Sequence, residues 1–330
     1  MMAGGNEKVV IRAGECSVSI LPAFGGKIAS LRVMDCELLQ SPLKPYAVRN
    51  RTMAFEESDA SGWDECLPSV SACRVETAGG RGDVPDHGDL WRVAWQVMER
   101  TEDSATITGE CLTFPLSLTR TMLLGETTTG WRLSMLYSLT NHGSHAVPWS
   151  WAAHPLFVCE EGDRICLPES VTSVRVENSK GQRLGDSGAW INWPVAELAG
   201  GERDDLSYAK ASGSGTAEKL FTGRLDQAVG GGAGSGNGWC ALERVRLGLR
   251  LTIRFDARVT PYLGLWLCDG GWPEMDGARQ TCVALEPTTA PVDSLAVDGP
   301  WSRALDPGVT VHWPMELCID RVTGDERNER

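Results

Sequence analysis

Residues 249–255 read Leu249-Arg250-Leu251-Thr252-Ile253-Arg254-Phe255, with an apolar side chain at every second position. Successive side chains of a β-strand point to opposite faces, so this alternation predicts a strand with one buried face and one solvated face. The same period of two recurs over Leu133–Leu139 and over Val93–Val97. Half-buried strands are therefore the expected building block of the chain.

Nine further segments have strand-like composition and are bounded by Gly, Pro, Asn or Asp: 9–12, 16–21, 27–33, 105–112, 116–123, 171–176, 262–267, 281–286 and 309–313. The sequence contains no convincing long amphipathic helix. Many short strands without intervening helices predict an all-β sandwich or barrel rather than a parallel α/β sheet. We expect one large antiparallel β-sandwich domain that spans residues 1–330.

Glycine- and serine-rich stretches interrupt the strand pattern between residues 199 and 238, at Ala199–Glu202, Ala211–Gly215 and Gly230–Gly236. Such stretches bury too little surface to offset the entropy of ordering, and they predict surface loops. None is followed by Lys-Ser or Lys-Thr or by a helical pattern, which argues against a nucleotide-binding loop.

The overall charge restricts the choice of partner. The 330-residue chain carries a net charge of −13 and has a pI near 4.9. Nucleic acids and anionic membranes are bound by basic patches that neutralise phosphates, and the sequence has no basic run. A small, neutral ligand is the expected partner, with neither nucleic acid nor membrane.

Cysteine usage and the chain start indicate a compartment. Eleven cysteines are scattered from Cys16 to Cys318 without a CxxC pair, so neither a zinc ribbon nor a disulfide framework is signalled. The first residues lack an apolar secretory core, and no stretch approaches the roughly 18 apolar residues typical of a membrane span. We expect reduced thiols, a cytoplasmic location, no metal and no cofactor.

Tryptophan is unusually frequent, since 13 of the 23 aromatic residues are Trp. The flat apolar face of an indole suits the C–H face of a pyranose, and its N–H can donate a hydrogen bond. Large aromatic residues are also common in strands, so an individual Trp can equally fill the core. Trp266 and Trp272 are the candidates for stacking on a sugar.

Three short segments contain the side chains that could carry chemistry: Asp86-His87-Gly88-Asp89-Leu90-Trp91, Trp151-Ala152-Ala153-His154-Pro155-Leu156-Phe157 and Leu285-Glu286-Pro287. Two imidazoles and one carboxylate are the groups needed to move protons on neutral oxygens near pH 7. Each also has a structural alternative. Glu286 can pair with an Arg at a strand end, His154 can be a hydrogen-bonded core histidine, and His87 can be solvated in an exposed turn.

A fourth segment, Gly62-Trp63-Asp64-Glu65-Cys66-Leu67-Pro68, carries two adjacent acids. On a strand their side chains would point to opposite faces, so at most one of them can contact a ligand directly. Asp64 is the candidate for binding a sugar hydroxyl, with a turn hydrogen bond as the equal alternative.

Together these segments resemble the aldose 1-epimerase (galactose mutarotase-like) superfamily. The resemblance depends on the order and spacing of several motifs: Phe24–Leu31, Gly62–Pro68, Asp86–Trp91, Asn141, His154–Phe157, Leu263–Trp266 and Leu285–Pro287. It implies a large antiparallel β-sandwich that binds a sugar in a cleft on its concave sheet. Confident equivalents of the Arg and Asp that hold sugar hydroxyls in the best-known mutarotases are not found.

The resemblance also implies a metal-free mechanism in which a Glu takes the anomeric proton and a His protonates the ring oxygen. By position, Glu286 corresponds to the base, His154 to the acid and His87 to a second histidine that binds or polarises the sugar. We expect the Glu286 carboxylate to raise the pKa of His154 more than burial lowers it.

The chain is accordingly expected to interconvert the α and β anomers of a hexose or a related sugar. One alternative is a non-catalytic carbohydrate-binding or sensing protein that uses the same cleft. Another is a sugar-phosphate epimerase, which would need a cluster of Arg or Lys to pair the phosphate. No such cluster lies near the three segments.

Overall fold

A computed structural model of the protein describes residues 8–210, 213–226, 236–274 and 277–322. Within these ranges the chain forms 25 β-strands and five 3₁₀ helices, and no α-helix. The strands are β1 (Val9–Ala13), β2 (Cys16–Leu21), β3 (Lys27–Val33), β4 (Cys36–Glu37), β5 (Trp63–Cys66), β6 (Cys73–Thr77), β7 (Gly80–Val84), β8 (Gln96–Arg100), β9 (Ser104–Glu110), β10 (Leu116–Glu126), β11 (Gly130–Asn141), β12 (Val147–Pro148), β13 (Ala152–Val158), β14 (Arg164–Cys166), β15 (Ser173–Ser179), β16 (Trp190–Asn192), β17 (Val195–Glu197), β18 (Arg203–Asp205), β19 (Thr216–Thr222), β20 (Asn237–Arg244), β21 (Leu249–Asp256), β22 (Tyr262–Asp269), β23 (Thr281–Thr288), β24 (Ala304–Leu305) and β25 (Thr310–Arg321). The 3₁₀ helices are Pro22–Phe24, Phe55–Glu57, Leu90–Arg92, Lys180–Gln182 and Val245–Leu247.

Two large sheets dominate the architecture. The first has 11 strands in the order β1-β2-β3-β5-β13-β23-β22-β19-β15-β16, with β4 paired to β3. The second has eight strands in the order β14-β20-β21-β25-β11-β10-β9-β8. Three two-stranded ribbons complete the described part of the chain, and all these named strand pairs are antiparallel. The predicted all-β antiparallel sandwich is confirmed.

The strand predictions based on alternation are confirmed with one exception. Leu249, Leu251, Ile253 and Phe255 on β21 are each at most 4% exposed and pack against the other sheet. The exception is Val93–Val97, where the strand begins only at Gln96. The preceding Trp95 is buried and contacts Gly109 so closely that a Cβ there would lie 2.5 Å from the indole. Insertion of this large ring into the core replaces strand pairing.

The prediction of surface loops at the glycine- and serine-rich stretches is confirmed where they are described, since residues 199–202 and 213–215 are exposed and lie outside the strands. Strands β18 and β19 lie between these stretches, and β19 is an interior strand of the 11-stranded sheet. Residues 211–212 and 227–235, which include most of Gly230–Gly236, lie outside the described residues. The single-domain extent over 1–330 stays a prediction.

A buried polar cluster joins the two sheets. The fully buried Glu65 carboxylate on β5 accepts hydrogen bonds from Arg120 Nη1 at 2.6 Å, Tyr137 Oη at 3.0 Å and Trp151 Nε1 at 2.9 Å. Arg120 and Tyr137 belong to the eight-stranded sheet, whereas Glu65 belongs to the other one. Burial raises the pKa of Glu65, while Arg120 and the other two donors oppose the rise. Glu65 is thus a structural group between the sheets.

The same strand shows that the two adjacent acids have different surroundings, as the alternation predicts. Asp64 points away from the eight-stranded sheet, to the outer face of the 11-stranded sheet. Leu263, Leu265 and Leu285 point inward into the shared core, and their neighbours Gly264, Trp266 and Glu286 therefore face outward. This outer face carries the candidate site.

Among the residues that the structure describes, none forms a helix of the length and apolar character that a membrane crossing requires. The buried cysteines Cys16, Cys66, Cys159, Cys240, Cys268 and Cys282 are free thiols.

Candidate active site

A cleft of about 220 Å³ lies on the outer face of the 11-stranded sheet. Aromatic, amide and ionisable side chains form its wall: Phe55, Val70, Ser71, Asp86, His87, His154, Asn178, Lys219, Trp266, Trp272, Gln280 and Asp293. Clefts that combine aromatic surface with a few convergent polar groups are typical ligand sites. This mixture suits a small molecule with both apolar and hydrogen-bonding surfaces.

The strand register places the acid and base candidates in one row. His154 on β13 is the register partner of Asp64 on β5. On its other side, the pairs Ala152–Thr288 and Leu156–Ala284 put His154 level with Glu286 on β23. Next in the row is Gly264 of β22, which is the partner of Glu286. Residues that face each other across antiparallel strands lie on the same side of the sheet.

Glu286 is fully buried and does not itself line the cleft, but it contacts the lining residues His154 and Lys219, and its two carboxylate oxygens have different environments. Oε2 accepts a hydrogen bond from Lys219 Nζ. Oε1 lies 3.6 Å from His154 Nε2 and has no hydrogen-bond partner. A buried acceptor without a partner is costly, so Oε1 is poised to accept a donor from a ligand.

Gly264 makes room for the Lys219–Glu286 ion pair. Lys219 on β19 reaches Glu286 on β23 across the intervening strand β22. A Cβ at Gly264 would lie 2.9 Å from Glu286 Oε2 and 3.2 Å from the Phe221 ring. The absence of a side chain at 264 therefore keeps the carboxylate in position. Although burial opposes it, Glu286 and Asp293 raise the pKa of Lys219, which stays charged.

His154 differs from its predicted protonation state. Burial lowers its pKa well below the usual value, and the positive charges of His87, Lys219 and Lys27 lower it further. The prediction that Glu286 raises the pKa of His154 is wrong. The Lys219 ammonium already neutralises the Glu286 carboxylate, and the His154 side chain is only 7% exposed. At neutral pH the ring is an uncharged imidazole.

His87 is held in the cleft wall by its neighbours rather than solvated in an open turn. Its backbone φ is 56°, and the ring stacks on Phe55 at 4.0 Å with an interplanar angle of 10°. Nδ1 lies 3.0 Å from Asp86 Oδ1, and the ring meets His154 edge-on at 5.3 Å. Burial opposes the change, but His87 and the Phe55 N–H lower the pKa of Asp86 and keep it ionised.

Both candidate stacking residues line the cleft. The Trp266 and Trp272 rings are 6.3 Å apart and nearly perpendicular. Trp266 Nε1 donates to Gln280 Oε1 at 2.9 Å, and Gln280 Nε2 donates to the Ala60 carbonyl at 3.0 Å. These bonds orient an indole face beside the polar groups. The most deeply buried indoles, such as Trp63 and Trp151, belong instead to the protein interior.

Asp64 does not line the cleft, and its assignment as a sugar contact stays a prediction. Its carboxylate is 1% exposed and accepts a hydrogen bond from the fully buried Lys27. Lys27 also lies 3.1 Å from Asp59, and Arg49 joins the same cluster. Asp64 is thus part of a buried ionic cluster on the strand next to His154.

Two charged cleft residues were not predicted from the sequence, Lys219 and Asp293. Lys219 belongs to β19, which lies between two of the stretches that were predicted to be loops. Asp293 follows β23, and burial raises its pKa to about 6 despite the opposing charge of Lys219. The only signal for Asp293 is its proximity in sequence to Glu286. Among the described residues, no group of three or more His, Cys, Asp or Glu could hold a metal ion, and metal independence stays a prediction.

No protein-family model and no curated protein sequence matches the chain. Several solved structures do match the chain. A candidate aldose 1-epimerase from Escherichia coli K12 has a TM-score of 0.69 and 16% identity over 96% of this chain and 100% of its own. A galactose mutarotase-like protein from Lactobacillus casei ATCC 334 has a TM-score of 0.63 and 16% identity, over 95% and 100% of the two chains.

A galactose mutarotase-like protein from Clostridium acetobutylicum has a TM-score of 0.64 and 15% identity over 98% of this chain and 97% of its own. At such identities the likeness defines the fold alone. The chain has the galactose mutarotase-like β-sandwich fold, so the resemblance carried by its sequence motifs is confirmed at that level.

Proposed function

We propose that the protein is an aldose 1-epimerase-like isomerase that interconverts the α and β anomers of a hexose or a related sugar. The observation that carries the proposal is the unpaired Oε1 of the buried Glu286, which lies 3.6 Å from Nε2 of His154, a residue of the cleft wall that also contains two indoles. A carboxylate acceptor beside an imidazole is the arrangement that hemiacetal opening requires.

In this proposal Glu286 Oε1 takes the proton of the anomeric hydroxyl. The bond between C1 and the ring oxygen breaks, the ring oxygen gains a proton, and C1 becomes a carbonyl carbon. Rotation about C1–C2 presents the other carbonyl face, and the reverse transfers close the ring. Lys219 donates a hydrogen bond to the other oxygen, Oε2, and so positions the carboxylate.

The two histidines have different roles. A neutral imidazole can polarise an oxygen by donating a hydrogen bond without carrying a charge, and we assign this role toward the ring oxygen to His154. His87, next to Asp86, contacts the sugar hydroxyls. Full protonation of the ring oxygen then calls for a group in the cleft that is more acidic than a neutral imidazole.

The composition of the cleft argues for a sugar without phosphate. Among the described residues that line it, Lys219 is the only Lys or Arg, and it is already paired with Glu286. Phosphate recognition normally uses several free cationic donors. A neutral carbohydrate is the substrate class that this lining favours.

Saturation-transfer NMR of anomer exchange across a panel of free and phosphorylated sugars tests the function. We expect exchange above the buffer rate for at least one free sugar. Glu286→Gln should lower kcat by at least roughly 10²-fold, because it removes the base while it keeps the side-chain shape. Glu110→Gln, at an exposed position on β9, is the matched control and should leave exchange unchanged.

Two results would contradict this proposal. Sugar-induced shifts without exchange would indicate a binding protein of the same fold. Near wild-type exchange in Glu286→Gln would remove Glu286 from the role of base.

A further inference from the structure

Asp293 is held firmly in the cleft wall although it lies outside the sheets. Its carbonyl accepts hydrogen bonds from Val70 N at 3.0 Å, Ser71 N at 2.9 Å and Ser69 Oγ at 3.1 Å. Its own N–H donates to Glu177 Oε1 at 3.3 Å. Four backbone hydrogen bonds at one residue fix where the side chain is presented, which is the condition for a positioned catalytic group.

Asp293 and Glu286 lie on either side of one ammonium group. Lys219 Nζ donates directly to Glu286 Oε2 and lies 3.7 Å from Asp293 Oδ1, which has no hydrogen-bond partner. Two carboxyl groups that share one positive charge are not equally stabilised. The one with the direct hydrogen bond stays ionised more easily, and the other holds a proton more easily.

On balance, the surroundings of Asp293 raise the pKa of its carboxyl group. Asp293 faces Lys219 from β19, Glu286 from β23, Glu177 from β15 and His87 from the loop before the Leu90–Arg92 helix. Burial is the largest influence and raises the pKa of Asp293. The two glutamates raise it further, Lys219 and His87 lower it, and the result is a pKa of about 6. A carboxyl group of this kind is partly protonated near neutral pH.

We propose that Asp293 is a further catalytic residue of this cleft, the proton donor to the sugar ring oxygen, and that it works opposite the Glu286 base. The inference rests on the proposed anomer exchange. As the bond between C1 and the ring oxygen breaks, the Asp293 O–H proton moves to the ring oxygen. The anomeric O–H proton moves to Glu286 in the same step. Ring closure on the other carbonyl face reverses both transfers.

This pairing keeps the charge of the site constant. One carboxylate, one carboxyl group and one ammonium are present before and after ring opening, and only the position of the negative charge changes. Lys219 lies between both positions and can stabilise the charge in either one. Neutral His154 needs only to donate a hydrogen bond, in agreement with its burial.

The test is the pH dependence of kcat for anomer exchange between pH 5 and 8.5, compared for wild type, Asp293→Asn and the control Asp298→Asn. Asp298 lies on the same loop and its side chain bonds only weakly to Ser302 Oγ, at 3.4 Å. We expect wild-type kcat to fall as pH rises above about 6, as an acid with the pKa of Asp293 loses its proton. In Asp293→Asn, kcat should drop at least roughly 10²-fold at pH 6, with KM little changed and that limb lost.

Asp293→Glu keeps the acid and should retain the limb with more activity than Asp293→Asn, so the test does not depend on one variant folding well. A uniform drop at every pH with the limb intact, or activity equal to Asp298→Asn, would overturn the role of Asp293 alone. Wild-type protein that exchanges no sugar at any pH would overturn the proposed function together with it.

Discussion

Replacing Lys219 with methionine would leave a buried carboxylate without its positive partner. The Lys219 side chain is 8% exposed and that of Glu286 is 1% exposed. Oε1 of Glu286 already lacks a hydrogen bond, so loss of the ammonium removes the remaining donor. Methionine has a similar length and keeps the apolar contacts of the lysine stem.

The expected destabilisation is large. Removal of one partner from a buried ion pair costs about 3–5 kcal/mol in the free energy of unfolding, mainly because the other charge stays buried. The double variant Lys219→Met/Glu286→Gln removes both charges of the direct pair, and Asp293 is the carboxyl group that still loses its contact with Lys219. The double variant should therefore be more stable than the sum of the two single changes predicts, by up to about 3 kcal/mol.

Urea unfolding at pH 5 and pH 8, followed by tryptophan fluorescence, measures both quantities. The penalty in Lys219→Met should be smaller at pH 5, since a protonated carboxyl group has no charge to bury. Lys8→Met, at an exposed position, controls for loss of a surface charge. A single-variant change below about 1 kcal/mol, or strict additivity in the double variant, would refute the buried pair as a stabilising unit.

Two further changes test the geometry and protonation of the site. Gly264→Ala places a Cβ 2.9 Å from Glu286 Oε2 and should lower kcat by roughly 10-fold or more, because the carboxylate is displaced. The control Gly125→Ala has no atom within 4 Å of its Cβ and should leave kcat unchanged. Equal effects of the two substitutions on kcat would contradict the proposed role of Gly264. His154 should remain uncharged in NMR titrations from pH 8 down to about 6.5, the ordinary histidine value. Because its folded-state pKa is lowered, its neutral state favours folding above about pH 6.5, and this contribution is lost as pH falls. His154→Gln should therefore flatten the acid side of the stability profile, and a midpoint at or above 6.5 would count against the buried neutral ring.

The sandwich could be predicted because alternation is a local signal. The apolar and polar residues of β21 alternate within one short segment, so the sequence of that segment alone predicts that one face of the strand is buried. The same holds for the opposite orientations of Asp64 and Glu65. Trp95 was mispredicted since its insertion depends on space left by Gly109, which no local pattern reveals.

The candidate site was only partly predictable. His154, His87 and the two indoles line one cleft, and Glu286 lies beside it in contact with His154. The partners that define their states are distant in sequence. Lys219 meets Glu286 across 67 positions.

Lys27 likewise donates a hydrogen bond to Asp64 across 37 positions. Protonation depends on such partners and on burial, so the neutral state of His154 could not be read from the chain.

The cluster around Glu65 has a consequence for how the two sheets find each other. Contacts between Leu, Val and Ile are nearly interchangeable, so a slide of one sheet by two residues, about 6.7 Å, would still bury them. The same slide would leave the Arg120 guanidinium without a carboxylate and Glu65 without its three donors. The cluster therefore selects one alignment of the two sheets from many that would bury similar apolar surface. The same alignment fixes the position of strand β5, which supplies the ionic support beneath His154.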